Sequence, residues 1–281
     1  MLFRLYLAAI ILSFCFAFER ESIAGSPQSE TRLITFGVVP QQAPARLARL
    51  WTPLTQHLSR ATGETIRFAT APDIPTFEER LFDGQYDVAY VNPLHYVLAE
   101  RAAGYQAFAR VADRELRGLI VVRADSPVRS LDALAGGALA FPSPNAFAAS
   151  LLTRANLRKA DVPFTSRFVR SHDSVYRAVA SGVVVAGGGV PRTFATMPDA
   201  VRSQLRVLQE TPGYSPHAFA AHPRVAPDIV RRLADALVAL PRTPDGAELL
   251  DDLGMTPLTA AAAADWDDVR RIAPELEGLA E

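Results

Sequence analysis

The chain has 281 residues, 49% of them hydrophobic and 21% charged, with a formal net charge of −1. A balance so near neutrality excludes a general electrostatic attraction to nucleic acid or to an anionic membrane surface, so any anion site has to be local. Cys15 is the single cysteine and lies in an apolar leader, which leaves the rest of the chain without disulfides, thiol nucleophiles or thiolate metal ligands.

The leader carries Arg4 and then an apolar run from Leu5 to Phe18. That run is shorter than the roughly 20 residues of a membrane span and has the length of a signal-peptide core. Residues 1–25 are therefore expected to be a signal peptide, cleaved near Cys15-Phe16-Ala17 or Ile23-Ala24-Gly25-Ser26. The alternatives are a retained anchor or a lipidated Cys15, the second opposed by the bulk of Phe14.

Leu33 to Val39 reads as a buried strand that breaks at Pro40-Gln41-Gln42. Leu47, Leu50, Trp51, Leu54 and Leu58 recur at helical spacing and give Ala43–Thr62 one apolar face, with Pro53 as a kink or the start of its first regular turn. Thr65–Ala69 reads as a strand, and Thr76–Phe82 as a short helix closed by Asp83-Gly84. A strand through Tyr90 runs into Asn92-Pro93, followed by a helix over Leu94–Arg101 and a strand over Gln106–Val111.

A second series begins with the strand Leu119–Arg123. It continues with strand Ala138–Phe141, a helix capped by Asn145 and running to about Lys159, strand Arg167–Val169 and helix Asp173–Ala180. Strand Val183–Ala186 is expected to end in a Gly187-Gly188-Gly189 turn, and Leu205–Leu208 is a further strand. The remainder reads as helical, with Ile229, Leu233, Leu237 and Leu240 on one face and helices near Glu248–Leu253 and Ala260–Ile272. Strands alternating with helices at this spacing predict an α/β protein with mostly parallel sheets flanked by helices.

In such proteins ligands sit beyond strand ends, which selects the candidate site. Gln41 follows the first strand, and Tyr90 and Asn92 end the third; core packing or solvation is the plain alternative for each. Ser143 and Asn145 precede a helix whose first N–H groups, at Ala146, Phe147 and Ala148, face outward with the positive end of the helix dipole and suit an oxyanion without any lysine. The competing reading of Asn145 is a simple helix cap. His172 opens another helix, with Ser174 nearby. Gly188 lies in a triplet that permits close backbone approach, although the lysine and hydroxyl of a nucleotide loop are absent. His217 is a further candidate; a zinc site from His172, His217 and His222 has no spacing to support it. No metal or cofactor is expected.

These segments together resemble the phosphonate-binding periplasmic proteins of ABC transporters. The resemblance rests on Phe36-Gly37 with Gln41-Gln42, Trp51-Thr52-Pro53-Leu54, Ala71-Pro72-Asp73 and Ala89-Tyr90-Val91-Asn92. It continues in Asp125-Ser126-Pro127 with Leu131-Asp132-Ala133-Leu134, Pro144-Asn145 and His172. It implies a two-lobed type II periplasmic binding fold, with lobe one at 32–117 plus 220–281, lobe two at 118–219, chain crossings near Gly118–Val122 and Ser215–Ala221, and hinge closure on a ligand in the cleft. It also implies a monomeric, periplasmic binding protein, not an enzyme, that delivers a small molecule to an ABC permease. A ligand sensor acting with a membrane receptor or kinase is the alternative. A small-molecule lyase on the same fold is a third reading, with His172 the one candidate base.

The sequence departs from the family where ligand oxygens are held. Ala146, Phe147 and Ala148 stand in place of the family's hydroxyl residues, and glycines, Val190, Pro216 and His217 in place of groups that hold a ligand amine. The resemblance therefore implies a phosphonate- or phosphate-like oxyanion or a carboxylate, with an apolar tail that Phe147 covers.

Overall fold

The computed structural model describes residues 33–255 and 257–280, so Cys15 and the expected signal peptide lie outside the described residues. No helix among the described residues is long and apolar enough to cross a membrane.

The first half of the chain folds in alternation. It forms β1 (Leu33–Val38), α1 (Pro44–Thr62), β2 (Thr65–Ala69), α2 (Ile74–Phe82), β3 (Val88–Val91), α3 (Pro93–Ala103) and β4 (Gln106–Val111). Local chemistry sets the boundaries. Pro44 supplies the fixed φ of a first helical turn, and Gly63 ends α1 at φ +74. Asp73 accepts a hydrogen bond from the Thr76 N–H and so caps α2. The apolar face of α1 is buried as its spacing predicts, through Leu47, Trp51, Leu54 and Leu58.

Next come β5 (Leu119–Arg123), β6 (Ala138–Phe141), a wide π-type turn over Phe147–Leu152 that runs into α4 (Thr153–Lys159), and β7 (Thr165–Phe168). They are followed by α5 (His172–Ala180), β8 (Ala186–Gly189), α6 (Pro191–Ala195), α7 (Asp199–Arg202) and β9 (Leu205–Glu210). The chain then returns through β10 (Ala218–Ala221), α8 (Pro227–Ala239), α9 (Pro244–Leu253), β11 (Leu258–Ala260) and α10 (Asp267–Ala280).

Two sheets result, one in the order β11-β4-β10-β3-β1-β2 and the other β7-β6-β8-β5-β9. The two-lobed α/β fold implied by the resemblance is present, and within it both sheets are mixed. β1 pairs in parallel with β2 and β3, and β6 with β7 and β8. β10 runs antiparallel to β3 and β4, and β5 antiparallel to β8 and β9. The antiparallel pairs arise where the chain enters a sheet from the other one. Segments 112–118 and 211–217 make the two passages, tied by the Leu116 N–H to Tyr214 carbonyl bond at 2.7 Å and the Gly118 N–H to Thr211 Oγ1 bond at 2.8 Å.

Three local expectations are corrected. The glycine triplet is not a turn after a strand; it is the strand β8, whereas Val183 and Val185 are exposed at 64% and 46%. β-Branched composition pointed to the valines, but the helices on both faces of β8 leave no room for a Cβ. One added to Gly187 would stand 2.4 Å from Val175 Cγ1, one on Gly188 1.8 Å from the Ala149 carbonyl oxygen, and one on Gly189 2.3 Å from Tyr176 Oη. Asn145 is not the helix cap, because the helix starts two residues later and Ala146 occupies the cap position. Finally, the helix expected over Ala260–Ile272 starts later: Leu258–Ala260 is β11, an edge strand paired with β4, and α10 begins at Asp267 after a short 3₁₀ turn at Ala263–Trp266.

Candidate functional site

The ends of β1 and β3 on one sheet meet the starts of the 147–152 turn and α5, and the end of β8, on the other. Gln41, buried beyond β1, is the centre of the polar contacts there. Arg192, two residues into α6, donates from Nη2 to Gln41 Oε1, which orients the amide. Gln41 Nε2 then donates to His217 Nε2 at 2.9 Å, so the proton of that ring sits on Nδ1. Burial, with Arg192 as a further cause, holds the His217 pKa well below its usual value, in agreement with an imidazole that must accept. The Tyr90 ring stacks on His217 at 5.0 Å, is backed by Trp51 at 4.7 Å, and has the Arg192 guanidinium 5.9 Å from its centroid.

His172, only 1% exposed, opens α5. Its backbone N–H donates to the Gln41 carbonyl at 3.2 Å, across the gap between the sheets. Its Nδ1 lies 3.2 Å from Thr193 Oγ1, which shares a 2.8 Å hydrogen bond with Tyr176 Oη. Burial, followed by the charge of Arg192, lowers the His172 pKa to about 3. Both buried imidazoles are thus neutral, and Arg192 supplies the positive charge between them. Ser174 does not reach this region. Its backbone N–H and hydroxyl are taken up by Ser171, the cap of α5, at 3.2 and 2.9 Å.

Asn92 and Asn145 are linked to each other and to a buried carboxylate. Asn92 Oδ1 caps α3 by accepting from the His95 N–H at 2.8 Å, leaving Nδ2 to face the Asn145 carbonyl at 3.5 Å. Asn145 Nδ2 donates to Glu78 Oε2 at 3.0 Å, and the other Glu78 oxygen lies 2.7 Å from His95 Nε2. Ser143 Oγ and Asn145 Oδ1 are buried with no partner among the described residues.

Two cavities open onto these groups. The smaller, about 10 Å³, is bordered by Gln41, Asn92, Ala146, Phe147, Ala148, His172 and His217. That is room for about one water molecule. Its walls are apolar at the helix start, where Ala146, Phe147 and Ala148 join the same buried cluster as Phe36 and Trp51. The larger, about 300 Å³, shares Gln41 and His217 with the first, adds Tyr90, and extends along the passages between the sheets. Of the other residues singled out from sequence, Ser143 and Asn145 stand behind the helix start, whereas Gly188 serves packing within β8.

Sequence reading missed Arg192, Arg114, Leu116 and Met255, all of which border the larger cavity. Arg192 was legible by the rule applied to Gln41 and Asn92, that polar groups just beyond a strand end face a ligand. Misplacing β8 hid it. His222 lies apart from the other histidines, edge-on to Tyr105 at 5.2 Å, and no metal-binding group of three His, Asp or Glu side chains forms among the described residues.

A family model described as "ABC transporter, phosphonate, periplasmic substrate-binding protein" matches residues 36–266. The phosphate-import protein of Mycolicibacterium smegmatis is 25% identical over 259 residues, covering 78% of this chain and 77% of the relative. The phosphonates-binding periplasmic protein of Escherichia coli is 21% identical over 272 residues, with 90% and 80% covered. Among solved structures, a Prochlorococcus marinus protein in complex with methylphosphonate superposes with a TM-score of 0.81 at 18% identity, covering 88% of this chain and 99% of that one.

Proposed function

This chain belongs to the phosphonate family of periplasmic substrate-binding proteins of ABC transporters, and on that premise we propose that it captures a small anion in the gap between its two sheets. As a solute-binding protein of an importer its partners are a small-molecule ligand and a membrane transporter. In the proposed reading it does no bond chemistry and acts as a monomer, freed from the membrane by cleavage of its leader. The sheets are the cores of two lobes that hinge on segments 112–118 and 211–217.

The observation that carries the ligand class is the convergence of donors on one cavity. The first N–H groups of the helix at Phe147, the neutral His172 ring and the Asn92 amide all border it. With an oxyanion bound, His172 donates from Nε2 while Thr193 satisfies Nδ1. A buried oxyanion needs such donors, because each unmet bond costs about 1–3 kcal/mol.

The space present holds about one water, so a tetrahedral oxyanion enters only when the lobes part. Parting breaks the Asn145–Glu78 and Gln42–Thr196 side-chain bonds and the His172–Gln41 backbone bond. Binding therefore proceeds by opening and re-closing around the anion, and shows as added stability.

Purified protein screened by thermal shift against phosphate, phosphite, methylphosphonate, methanesulfonate and small carboxylates is expected to gain about 5 °C or more from a bound anion at a hundred times its Kd. No shift with any of them would overturn the anion reading. His172→Ala is expected to weaken binding of the anion so found by about tenfold, the worth of one good hydrogen bond. Unchanged affinity in isothermal titration calorimetry removes His172 from the site.

A further inference from the structure

The larger cavity has a charge pattern that the family resemblance does not explain. Arg192 and Arg114 both face it, and among the described residues neither has a carboxylate within salt-bridge distance. Arg114 donates to the Gly254 carbonyl at 3.1 Å and Arg192 to the Leu253 carbonyl at 3.2 Å, so both also stabilise the C-terminal end of α9. That capping role accounts for Arg114. It does not account for Arg192, whose second nitrogen turns inward to Gln41 and whose plane sits over the Tyr90 ring. The one acid among the residues lining the cavity, Glu115, is already paired with Arg117 at 2.5 Å. The remaining wall is apolar, made by Leu116, Val190, Pro216 and Met255. A guanidinium without a counter-ion, in an apolar chamber of about 300 Å³, matches an organic anion in charge, shape and size.

The helix start offers hydrogen-bond donors but room for only about one water. Resting on the reading that this protein binds a small anion, we propose that Arg192 is the specificity-determining residue of the site. It pairs with one oxygen of the carboxylate or phosphonate group that the helix-start donors hold beside Gln41, where the two cavities meet, and the apolar body of that organic acid, larger than a methyl group, fills the hinge-side cavity against Tyr90, Pro216 and Met255. The Gln41 amide, freed by that exchange, keeps its bond to His217 and turns its oxygen away from the ligand. Specificity then lies in the body of the acid, because a small anion leaves most of the chamber empty.

Isothermal titration calorimetry with phenylphosphonate, benzoate, benzamide and methylphosphonate tests this on the wild-type protein, Arg192→Gln and Arg192→Lys. Phenylphosphonate or benzoate is expected to bind at least tenfold more tightly than benzamide and methylphosphonate. Arg192→Gln is expected to lose at least tenfold for the aromatic anion, and Arg192→Lys to retain most of the affinity. Tight methylphosphonate binding that Arg192→Gln leaves unchanged overturns this inference while leaving the anion-binding function intact. Aromatic anions that bind equally to wild type and Arg192→Gln also overturn it. Absence of binding by every anion in the set overturns both readings. Should Arg192→Gln fail to fold, the neutral probe decides, since benzamide binding as tightly as benzoate is incompatible with a charge pair.

Discussion

Gly188→Ala is expected to destabilise the protein by about 3 kcal/mol or more, at the upper end of what overpacking costs. A Cβ at this position would lie 1.8 Å from the Ala149 carbonyl oxygen, 2.7 Å from Phe141 Cδ1 and 3.0 Å from the Ala149 carbonyl carbon. Two of those atoms are backbone, so no rotamer change relieves the clash. Either β8 or the 147–152 turn has to move, and both carry walls of the site. Gly187→Ala is the informative comparison, because its nearest clash is with the side-chain methyl Val175 Cγ1 at 2.4 Å, which can shift. Urea unfolding should therefore rank the loss for Gly188→Ala well above that for Gly187→Ala. A Gly188→Ala protein with a wild-type midpoint would show that the turn does not pack on β8 as described. For a chain of this size the expected loss lowers Tm by about 6 °C or more.

The second large effect is acid lability. His172 and His217 are buried and neutral, with folded pKa values depressed to about 3 and well below the ordinary value, respectively. In the unfolded chain both return to about 6.5. Above that pH neither state is protonated and the two residues contribute nothing to the pH dependence. Below it the unfolded chain takes up two protons that the folded protein refuses, so stability falls as pH falls. Each imidazole approaches about 1.4 kcal/mol per pH unit below its unfolded pKa, which makes about 3 kcal/mol for the pair between pH 6.5 and 5. Carboxylate titration dominates only at lower pH, which makes this window diagnostic. Thermal melts should show a steady loss from pH 6.5 to 5 and little change from pH 8 to 7. The decline should be about half as steep in His172→Asn, which retains a polar contact for Thr193. A flat profile between pH 7 and 5 would mean that these rings are hydrated or paired with an acid.

Most of the architecture was legible because its signals are local. The spacing of Leu47, Trp51, Leu54 and Leu58 determines the buried face of α1 whatever lies against it. Asp73 and Asn92 cap helices through bonds that span three residues. The order of strands and helices likewise settled the α/β class and, with the quoted motifs, the family. Gln41, Asn92 and His172 were singled out for the same reason, since each follows a strand end or opens a helix, and His217 for its place near the second chain crossing.

Other features depend on contacts between residues far apart in the chain, which no local pattern encodes. The glycines of β8 form a strand because α5 and the 147–152 turn press on it from opposite sides. Asn145 stands before the cap position, which Ala146 takes, and its amide nitrogen is held by Glu78, 67 positions earlier. Arg192 meets Gln41 only because the chain passes twice between two sheets and brings their strand ends face to face. Local pattern was enough for most of the elements, for the α/β class and for the chemistry available at most strand ends. The tertiary structure alone decided which of those groups share a cavity, how much room they leave and where its uncompensated positive charge stands, because burial and electrostatic pairing are properties of neighbours in space.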